Sequence, residues 1–521
     1  MRHNRYKFSL WLLLAAGWVA VVSVALARSG SVFDQLDLLI DIRHEIVNGY
    51  VEEADQQKMI EAAVYGMIES LDDPHTTYVS TDDLSMFEEQ VTGRFTGIGA
   101  EVTIDDKLQR LRIVTPLEDS PAWHAGVLPG DIILEIDGKS TADITHVRHL
   151  RKAVKMLKGL KDTQVVVKVR HESGQEQDIT ITRAVINVKS VRGFRRGEDN
   201  RWLYMLDPQR RIAYARISQF TDRTTDELSE VLKDLEEQQI RGLILDLRFN
   251  PGGLLSAAVA VSDMFLDGEK AIVSVRGRKF KEEQYKSKSQ GTFAAVPIVV
   301  LANERSASAA EIVTGALTDH GRAKFVGMRT YGKGSVQSSR LLEGGSMIKL
   351  TRAYYYLPSG RLIHRRDDSD LWGVDPEDGF FVPMTFEQTR KMVDTRVKNA
   401  QNRNLQEVDV TPQWIEQSLA DLQLAAGLRA MIGKLDDDQW PVVGQSGAKL
   451  VQREVRRTEL LRRRDLISDT LAEVERELVE LDTPDTSVES ADDVATSEPD
   501  KPASISDAPA DTDEQPVDTA P

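Results

Sequence analysis

Cysteine is absent from the 521 residues of this sequence. Its absence excludes thiol nucleophiles, zinc sites built on thiolates, and disulfide bonds. The sequence also lacks a His-Glu-x-x-His segment, and its nine histidines are scattered along the chain, so a zinc site is not expected. No Gly-x-Ser-x-Gly elbow of the α/β-hydrolase type is present either. We therefore expect neither a metal nor another cofactor.

Positive charge is in deficit, because the formal net charge is −17. This balance argues against nucleic acid as a partner, since neutralising phosphates requires surplus Lys and Arg. Much of the excess lies in residues 483–521, which contain eleven acidic residues and one lysine. That segment has almost nothing to bury, so we predict a disordered acidic tail.

The N-terminus is basic over residues 1–7 and then apolar from Phe8 to Ala27, ending in Ala25-Leu26-Ala27. This order is typical of a secretory signal. The apolar run is also almost long enough to span a bilayer, so cleavage after Ala27 and retention of residues 8–27 as an inner-membrane anchor both remain open. Either alternative predicts an extracytoplasmic, periplasmic protein whose only membrane contact is residues 1–27.

The chain beyond the N-terminus predicts an α+β multidomain protein. Residues 28–90 carry apolar side chains at helical spacing. Residues 91–186 consist of short β runs separated by turns, with helices expected at Pro121–Ala125 and Ile144–Met156. Residues 387–482 are charged and helical in pattern.

Residues 187–386 alternate strands, loops and helices, which predicts parallel strands joined by crossover helices. Chemistry in such folds gathers at the carboxyl ends of the strands. Two loops stand at such ends, Asn250-Pro251-Gly252-Gly253 and Ser306-Ala307-Ser308.

The segment from Gly327 to Gln337 nearly matches a nucleotide-binding P-loop, but Gly334 stands where the motif needs Ser or Thr. A P-loop leads into a helix whose N-terminus binds phosphate. Here the residues after Lys333 have a strand-like pattern. A P-loop ATPase is therefore a weak alternative.

Ser308 opens a predicted helix, so the N–H of Ala309 would face whatever Ser308 attacks, and the helix dipole would favour an oxyanion. A serine nucleophile needs a base. His320 would lie about 18 Å away at the far end of the helix, whereas Lys333 could serve if burial kept it neutral. From the residues alone, Ser308 as a helix cap and Lys333 as a surface turn also remain open.

Residues 303–327 and 329–337 closely resemble the C-terminal processing peptidases, also called tail-specific proteases. Residues 71–80 and 93–102 resemble the segment leading into that family's PDZ domain, and residues 120–140 resemble the PDZ core. The resemblance covers roughly residues 32 to 364. It implies that this chain is a serine endopeptidase with a Ser-Lys dyad and a crotonase-like α/β core.

The resemblance assigns the nucleophile to Ser308 rather than Ser306, because the family spacing of twenty-five residues ends at Lys333, the general base. Gln337 would orient the lysine. The oxyanion would bind the N–H groups of Ala309 and of Gly252 or Gly253.

The resemblance also implies a PDZ groove for the C-termini of unfolded or extracytoplasmic proteins. Its backbone cradle would be Gly97, Ile98 and Gly99, and its apolar pocket would include Val102 and Leu150. The sequence departs from the family pattern after Ile363, which predicts unusual substrate choice and regulation.

The implied partners are protein or peptide substrates with accessible C-termini, a possible adaptor protein, and a second copy of the chain. In the dimer the apolar helices between Leu36 and Met67 would pair, although packing of these helices into the chain's own core is equally open. The alternative function is a catalytically inactive PDZ scaffold.

Overall fold

The structure is a computed structural model that describes residues 36–482, apart from 106–107, 118, 146–148, 172, 198–200, 289–292, 294–295, 367–368, 370, 402–407 and 447. The predicted signal or anchor (1–27) and the predicted acidic tail (483–521) lie outside the described residues. No helix within the described part is both long enough and apolar enough to cross a membrane.

Two helices open the described chain, α1 at 36–49 and α2 at Gln56–Glu69. The carboxylate of Asp55 caps α2 by accepting the N–H groups of Gln57 and Lys58. Neither helix has a buried residue, and many of their large apolar side chains are exposed to solvent. The alternative that these helices pack into the core of their own chain is therefore wrong.

The region predicted as helical also contains a strand, β1 (Thr77–Val79). It is followed by α3 (Thr81–Thr92), which the Ser80 hydroxyl caps and which ends at Gly93 with φ +64°. Strand β1 escaped prediction because three residues are too few for a β pattern, and its pairing partner lies at residues 347–349.

The PDZ region contains eight strands and two helices: β2 (Arg94–Gly97), β3 (Ala100–Asp105), β4 (Arg110–Pro116), α4 (Pro121–His124), β5 (Ile132–Ile136), β6 (Lys139–Ser140), α5 (Leu150–Leu157), β7 (Gln164–Arg170), β8 (Glu176–Thr182) and β9 (Ala184–Asn187). Its main sheet has the order β3-β4-β5-β7-β8, with β6 beside β5, while β2 pairs with β9. Alternating side chains of this sheet and the two helices enclose one core.

Helix α5 begins at Leu150, so the predicted start at Ile144 is wrong: Ile144 is buried in the preceding turn.

The second α/β region is built on a mixed sheet: β10 (Val191–Arg192), β13 (Met205–Asp207), β14 (Ile212–Ile217), β15 (Gly242–Asp246), β18 (Ile298–Ala302) and β19 (Ala323–Gly327). A small hairpin of β11 (Arg195–Arg196) and β12 (Trp202–Leu203) lies between β10 and β13 in the chain. Strands β14, β15, β18 and β19 are parallel neighbours. The crossovers contain α6 (Thr224–Glu237), α7 (Leu255–Asp263) and α8 (Ala309–Asp319), so the predicted parallel order is observed.

A second, antiparallel sheet has the order β1-β21-β16-β17, with β20 also paired to β21. Its strands are β16 (Ala271–Gly277), β17 (Phe280–Lys286), β20 (Ser335–Leu341) and β21 (Met347–Tyr356). Residues of this sheet, of helices α6 to α8 and of the parallel strands share the largest core.

The C-terminal region is helical, as predicted: α9 (Phe386–Gln401), α10 (Pro412–Trp414) with a π-helical continuation at Ile415–Leu419, α11 (Leu422–Asp437) and α12 (Ala448–Asp482). Helix α11 packs on the face of the parallel sheet opposite to the largest core.

The chain forms two compact units, one up to Thr458 and one from Glu459. In the second unit residues 459–482 are helical, with an exposed apolar stripe at Leu460, Ile467, Leu471, Val474 and Leu478. The architecture confirms the predicted α+β multidomain class.

Candidate active site

Three loops at the carboxyl ends of β15, β18 and β19 bring the candidate residues together. The loop after β15 contains Gly252 and Gly253, the loop after β18 ends at Ser308, and the loop after β19 contains Lys333. The strands are parallel neighbours, so their carboxyl ends share one edge of the sheet. This is the position at which open α/β sheets bind ligands.

Ser308 sits immediately before α8 with a strained backbone. Its φ is +56°, a region that costs a non-glycine residue free energy and that clusters at functional sites. Ser308 and Glu311 occupy the two positions of a capping box, in which Glu311 Oε2 accepts the N–H of Ser308 at 2.8 Å, so a capping role and the strained backbone occur at the same residue. The hydroxyl of Ser306, by contrast, donates to the carbonyl of Leu247 and accepts the N–H of Asn303, a structural role.

The glycine loop passes directly against Ser308. A Cβ on Gly252 would lie 2.7 Å from the Ser308 Cβ and 3.1 Å from the Ala309 nitrogen. The N–H of Gly252 already donates to Asn250 Oδ1 at 2.8 Å. The N–H groups of Gly253 and Ala309 have no acceptor among the described residues, which makes Gly253 the better of the two glycine candidates for an oxyanion donor.

A buried carboxylate that sequence reasoning passed over joins the nucleophile loop to the lysine loop. Glu311 Oε2 accepts the N–H of Ser308 and the N–H of Lys333, each at 2.8 Å. Glu311 Oε1 accepts the N–H of Gly332 and the hydroxyl of Thr330. Burial raises the pKa of Glu311, and these four hydrogen bonds oppose that shift. The signal was present in the sequence, because Glu311 is the last residue of the Ser-Ala-Ser-Ala-Ala-Glu segment.

Lys333 is half-buried in an electropositive setting. Burial lowers the pKa of its ammonium below the ordinary 10.5, and the positive charge of Lys349 lowers it further. The carboxylates of Glu311 and Asp73 raise it. A lowered pKa makes the neutral amine, the form that can accept a proton, more accessible.

Gln337 lies in β20 at a bulge, where the pairing with β21 shifts by one residue. Its amide donates to Ser335 Oγ at 2.7 Å and to Thr351 Oγ1 at 3.4 Å. Within the described contacts, Lys333 Nζ makes no hydrogen bond to Ser308 or to Gln337. The backbones of Ser308 and Lys333 thus meet at Glu311, while the described contacts include no hydrogen bond among the side chains of Ser308, Lys333 and Gln337. Catalytic hydrogen bonds of unliganded enzymes are often formed only with substrate.

Three further side chains approach the site from distant parts of the sequence. The buried Tyr355 of β21 has its phenol near the Ser308 side chain, and burial raises the pKa of that phenol to about 12. Two imidazoles, His75 and His364, have ring centroids 6.3 Å apart. Burial lowers the pKa of both rings, and the charge of Lys333 lowers that of His75 further. Sequence reasoning missed all three, because nothing local to them indicates that they meet Ser308 and Lys333.

The PDZ candidates lie together at one edge of the PDZ sheet. Gly97 ends β2, Ile98 is buried in the PDZ core, and Gly99 precedes β3 with φ +75°. Val102 of β3 and Leu150 at the start of α5 are partly buried against that core. Strand β3 is the edge of its sheet among the described strands, so it is open to pairing with an added peptide strand.

Comparison with known proteins agrees with this architecture. Residues 211–377 match Peptidase family S41, residues 112–171 match PDZ domain, and residues 27–83 match Activating protease CtpB N-terminal domain.

A carboxy-terminal-processing protease of Bartonella bacilliformis is 37% identical over 364 residues, covering 68% of this chain and 79% of the relative. The carboxy-terminal processing protease CtpA of Bacillus subtilis is 33% identical over 366 residues, covering 70% and 72%. Among solved structures, a photosystem II D1 C-terminal processing protease is 27% identical, with coverage of 70% and 92% and a TM-score of 0.38.

Proposed function

The chain belongs to peptidase family S41, within the carboxy-terminal processing proteases, and from that premise we propose that it is a serine endopeptidase acting through a Ser308–Lys333 dyad. One observation carries the proposal: a single buried oxygen, Glu311 Oε2, holds the N–H groups of both residues. The two amide nitrogens are therefore no more than about 5.6 Å apart, because each lies 2.8 Å from that oxygen.

In the proposed reaction, neutral Lys333 takes the proton of the Ser308 hydroxyl while Oγ attacks the scissile carbonyl carbon. The oxyanion that forms accepts hydrogen bonds from the N–H groups of Ala309 and Gly253, or Gly252 if Asn250 releases it. Lys333 then protonates the leaving amine, and an acyl-enzyme remains on Ser308. The lysine next deprotonates water, which hydrolyses the ester and regenerates the hydroxyl. Gln337 would orient the amine after turning from Ser335 and Thr351.

Substrates would be captured by their C-termini in the PDZ groove between β3 and α5. An extended tail would add to the β3 edge, its carboxylate bound by the backbone from Gly97 to Gly99 and its last side chain between Val102 and Leu150. We propose an extracytoplasmic, periplasmic location, with residues 8–27 as a signal or anchor, and a dimer formed through the N-terminal helices. An adaptor that delivers substrates is consistent with this arrangement.

The proposal is tested with a disordered protein whose C-terminus is apolar and free. Ser308→Ala and Lys333→Ala should each abolish cleavage while leaving the melting temperature close to that of the wild type. The cleavage products of the wild type and of Ser308→Ala should be sequenced side by side. Products found only with the wild type come from this protein, whereas products found in both samples come from a contaminating protease. Retained cleavage in either variant would rule out the dyad.

The alternative function is a catalytically inactive PDZ scaffold. It predicts that the wild type, like the two variants, leaves the disordered substrate intact while binding its C-terminal tail. Binding without cleavage across a range of pH would favour the scaffold. The peptidase is favoured because Ser308, Lys333 and Gln337 are all present in the sequence and Glu311 Oε2 joins the backbones of the first two.

A further inference from the structure

A cavity of about 140 Å³ lies between the PDZ strands β3 and β4, the turn after β10, and helices α9 and α11. Arg216 of β14 lines it. The Nε of this arginine is buried and has no hydrogen-bond partner among the residues that the structure describes. A buried donor left without an acceptor destabilises the folded protein, and a charged donor does so more strongly. Its retention at this position therefore needs an explanation.

The charges around Arg216 leave one cation unmatched. The carboxylates of Asp246 and Asp421 both contact Arg248, at 2.7 and 2.6 Å, and both lie within 4 Å of Arg396. These two anions are thus engaged by two other guanidinium groups.

Arg216 itself has no carboxylate within 4 Å in the described part of the chain. Burial and the charge of Arg396 lower the pKa of its guanidinium group, and the negative charge of Asp246 opposes that shift. Glu101 of β3 also lines the cavity but is exposed to solvent.

Arg192 adds a further positive charge beside Arg216. The two residues are direct partners in the pairing of β10 with β14, so their side chains leave the sheet on the same face. Both line the cavity. Two guanidinium groups that converge on one cavity repel each other unless an anion lies between them.

The rest of the wall carries three charged residues, Arg195, Arg396 and Asp421, and the Asp421 carboxylate is paired with Arg248 and Arg396. The remaining surface is mostly apolar: Phe194, Trp202 and Trp414 contribute rings, and Met392, Leu419 and Leu424 contribute aliphatic surface. A cavity of about this size holds one benzene-sized group.

We propose that this cavity binds a carboxylate carried on an apolar or aromatic body the size of one amino-acid residue, with Arg216 and Arg192 on the carboxylate. Two sources supply this chemistry: the terminal residue of a peptide, and a free organic acid. Planar guanidinium groups suit either, since they match a carboxylate with paired hydrogen bonds.

The cavity is connected to the glycine loop of the candidate active site by a short series of hydrogen bonds. The residue after Arg216, Ile217, accepts the Asn250 side-chain amide through its carbonyl, and Asn250 in turn holds the N–H of Gly252. The opposite wall belongs to the PDZ strands, through Val114 and Thr115. A bound carboxylate would therefore contact both the PDZ domain and the strand that supports the glycine loop.

The test compares N-acetyl-L-phenylalanine, its carboxamide and 3-phenylpropionate, with binding followed by calorimetry and by the shift in melting temperature. The variants are Arg216→Met, which keeps length without charge, and the matched control Arg241→Met at an exposed arginine of the same region. The acids should bind to wild type and control, and at least about tenfold more weakly to Arg216→Met, whereas the carboxamide should not bind. The PDZ groove is unchanged in all three proteins, so carboxylate binding there cancels in the comparison.

Tighter binding of N-acetyl-phenylalanine than of 3-phenylpropionate would identify a peptide C-terminus as the source, and the reverse order a free acid. Should Arg216→Met fail to fold, Arg192→Met must show the same loss of binding. Equal affinity of the arginine variants and the wild type, or equal binding of acid and carboxamide, would overturn the proposal. Because binding is read without proteolysis, this result is independent of the Ser308→Ala test.

Discussion

At the scale of single residues, the surroundings of one lysine lower the pKa of its ammonium group. Lys333 faces Lys349, Glu311, Asp73 and His75, and burial together with the Lys349 charge outweighs the two carboxylates. The outcome is a pKa lowered from 10.5. A general base works only in its deprotonated form, so the rate should increase with pH until Lys333 has lost its proton.

Replacing Lys349 by Met should move that rising limb of the pH–kcat/KM profile to higher pH. Removing the neighbouring positive charge favours protonated Lys333, which raises its pKa. On the acidic side of the limb, the rate follows the fraction of neutral Lys333, so it falls about tenfold if that pKa rises by about one. The matched control is Lys349→Arg, which retains the charge and should keep the limb near its wild-type position. A limb that stays in place in Lys349→Met would show that Lys349 does not tune the base.

Sequence reasoning reached Ser308, Lys333 and Gln337 because they occupy a short, specific motif. It did not reach Tyr355 or His75, which lie near the site from β21 and from the loop before β1. Their roles depend on pairing between segments far apart in the chain, and a single sequence carries no local pattern for such contacts.

At the scale of elements, the glycine loop after β15 must approach the start of α8 more closely than any side chain permits. Gly252 has φ +100°, and a Cβ there would lie 2.8 Å from the carbonyl oxygen of Ala307 as well as against Ser308. The Asn250 side chain holds this loop in place, because its amide donates to the Ile217 carbonyl and its oxygen accepts the N–H of Gly252. The close approach of Gly252 to Ser308 is therefore fixed by hydrogen bonds between this side chain and the backbone.

Gly252→Ala should lower kcat by about a hundredfold or more, since the added methyl group would displace both the nucleophile and the oxyanion donors. The matched control is Gly321→Ala, because Gly321 also has positive φ, +63°, but has open space around its Cβ position. The control should lose only about 1–2 kcal/mol of stability from backbone strain and keep kcat. Steady-state kinetics and thermal melts separate the two effects, and an unchanged kcat in Gly252→Ala would contradict the close approach.

The parallel strands and their crossover helices could be predicted because each has a complete hydrophobic pattern bounded by turns. Strand β1 and the true start of α5 could not. Strand β1 is stabilised by pairing with β21 across the fold, and Ile144, which extends the apolar pattern of α5 in the sequence, is buried outside that helix. Tertiary packing overrides local propensity at both places.

At the scale of the whole molecule, helices α1 and α2 present apolar side chains with no partner in the described chain. Leu38, Ile40 and Met67 are each 59–60% exposed. An apolar surface of this extent is unusual for a monomer and marks an interaction site. A second copy of the same helices offers a complementary apolar face.

A chain that starts at residue 71 should therefore sediment as a monomer under conditions in which the chain from residue 28 is a dimer. Within the longer chain, Leu38→Glu should weaken dimerisation by about a hundredfold or more, because a carboxylate would be buried without a partner. Leu160→Glu is the matched control: Leu160 is 80% exposed in the PDZ region, outside the N-terminal helices, and the change should leave the sedimentation coefficient unaltered. Analytical ultracentrifugation over a concentration series measures all three. If the truncated chain keeps the oligomeric state of the longer one, these helices are not the dimer contact. If it becomes monomeric yet still cleaves a disordered substrate, the peptidase site functions within one subunit.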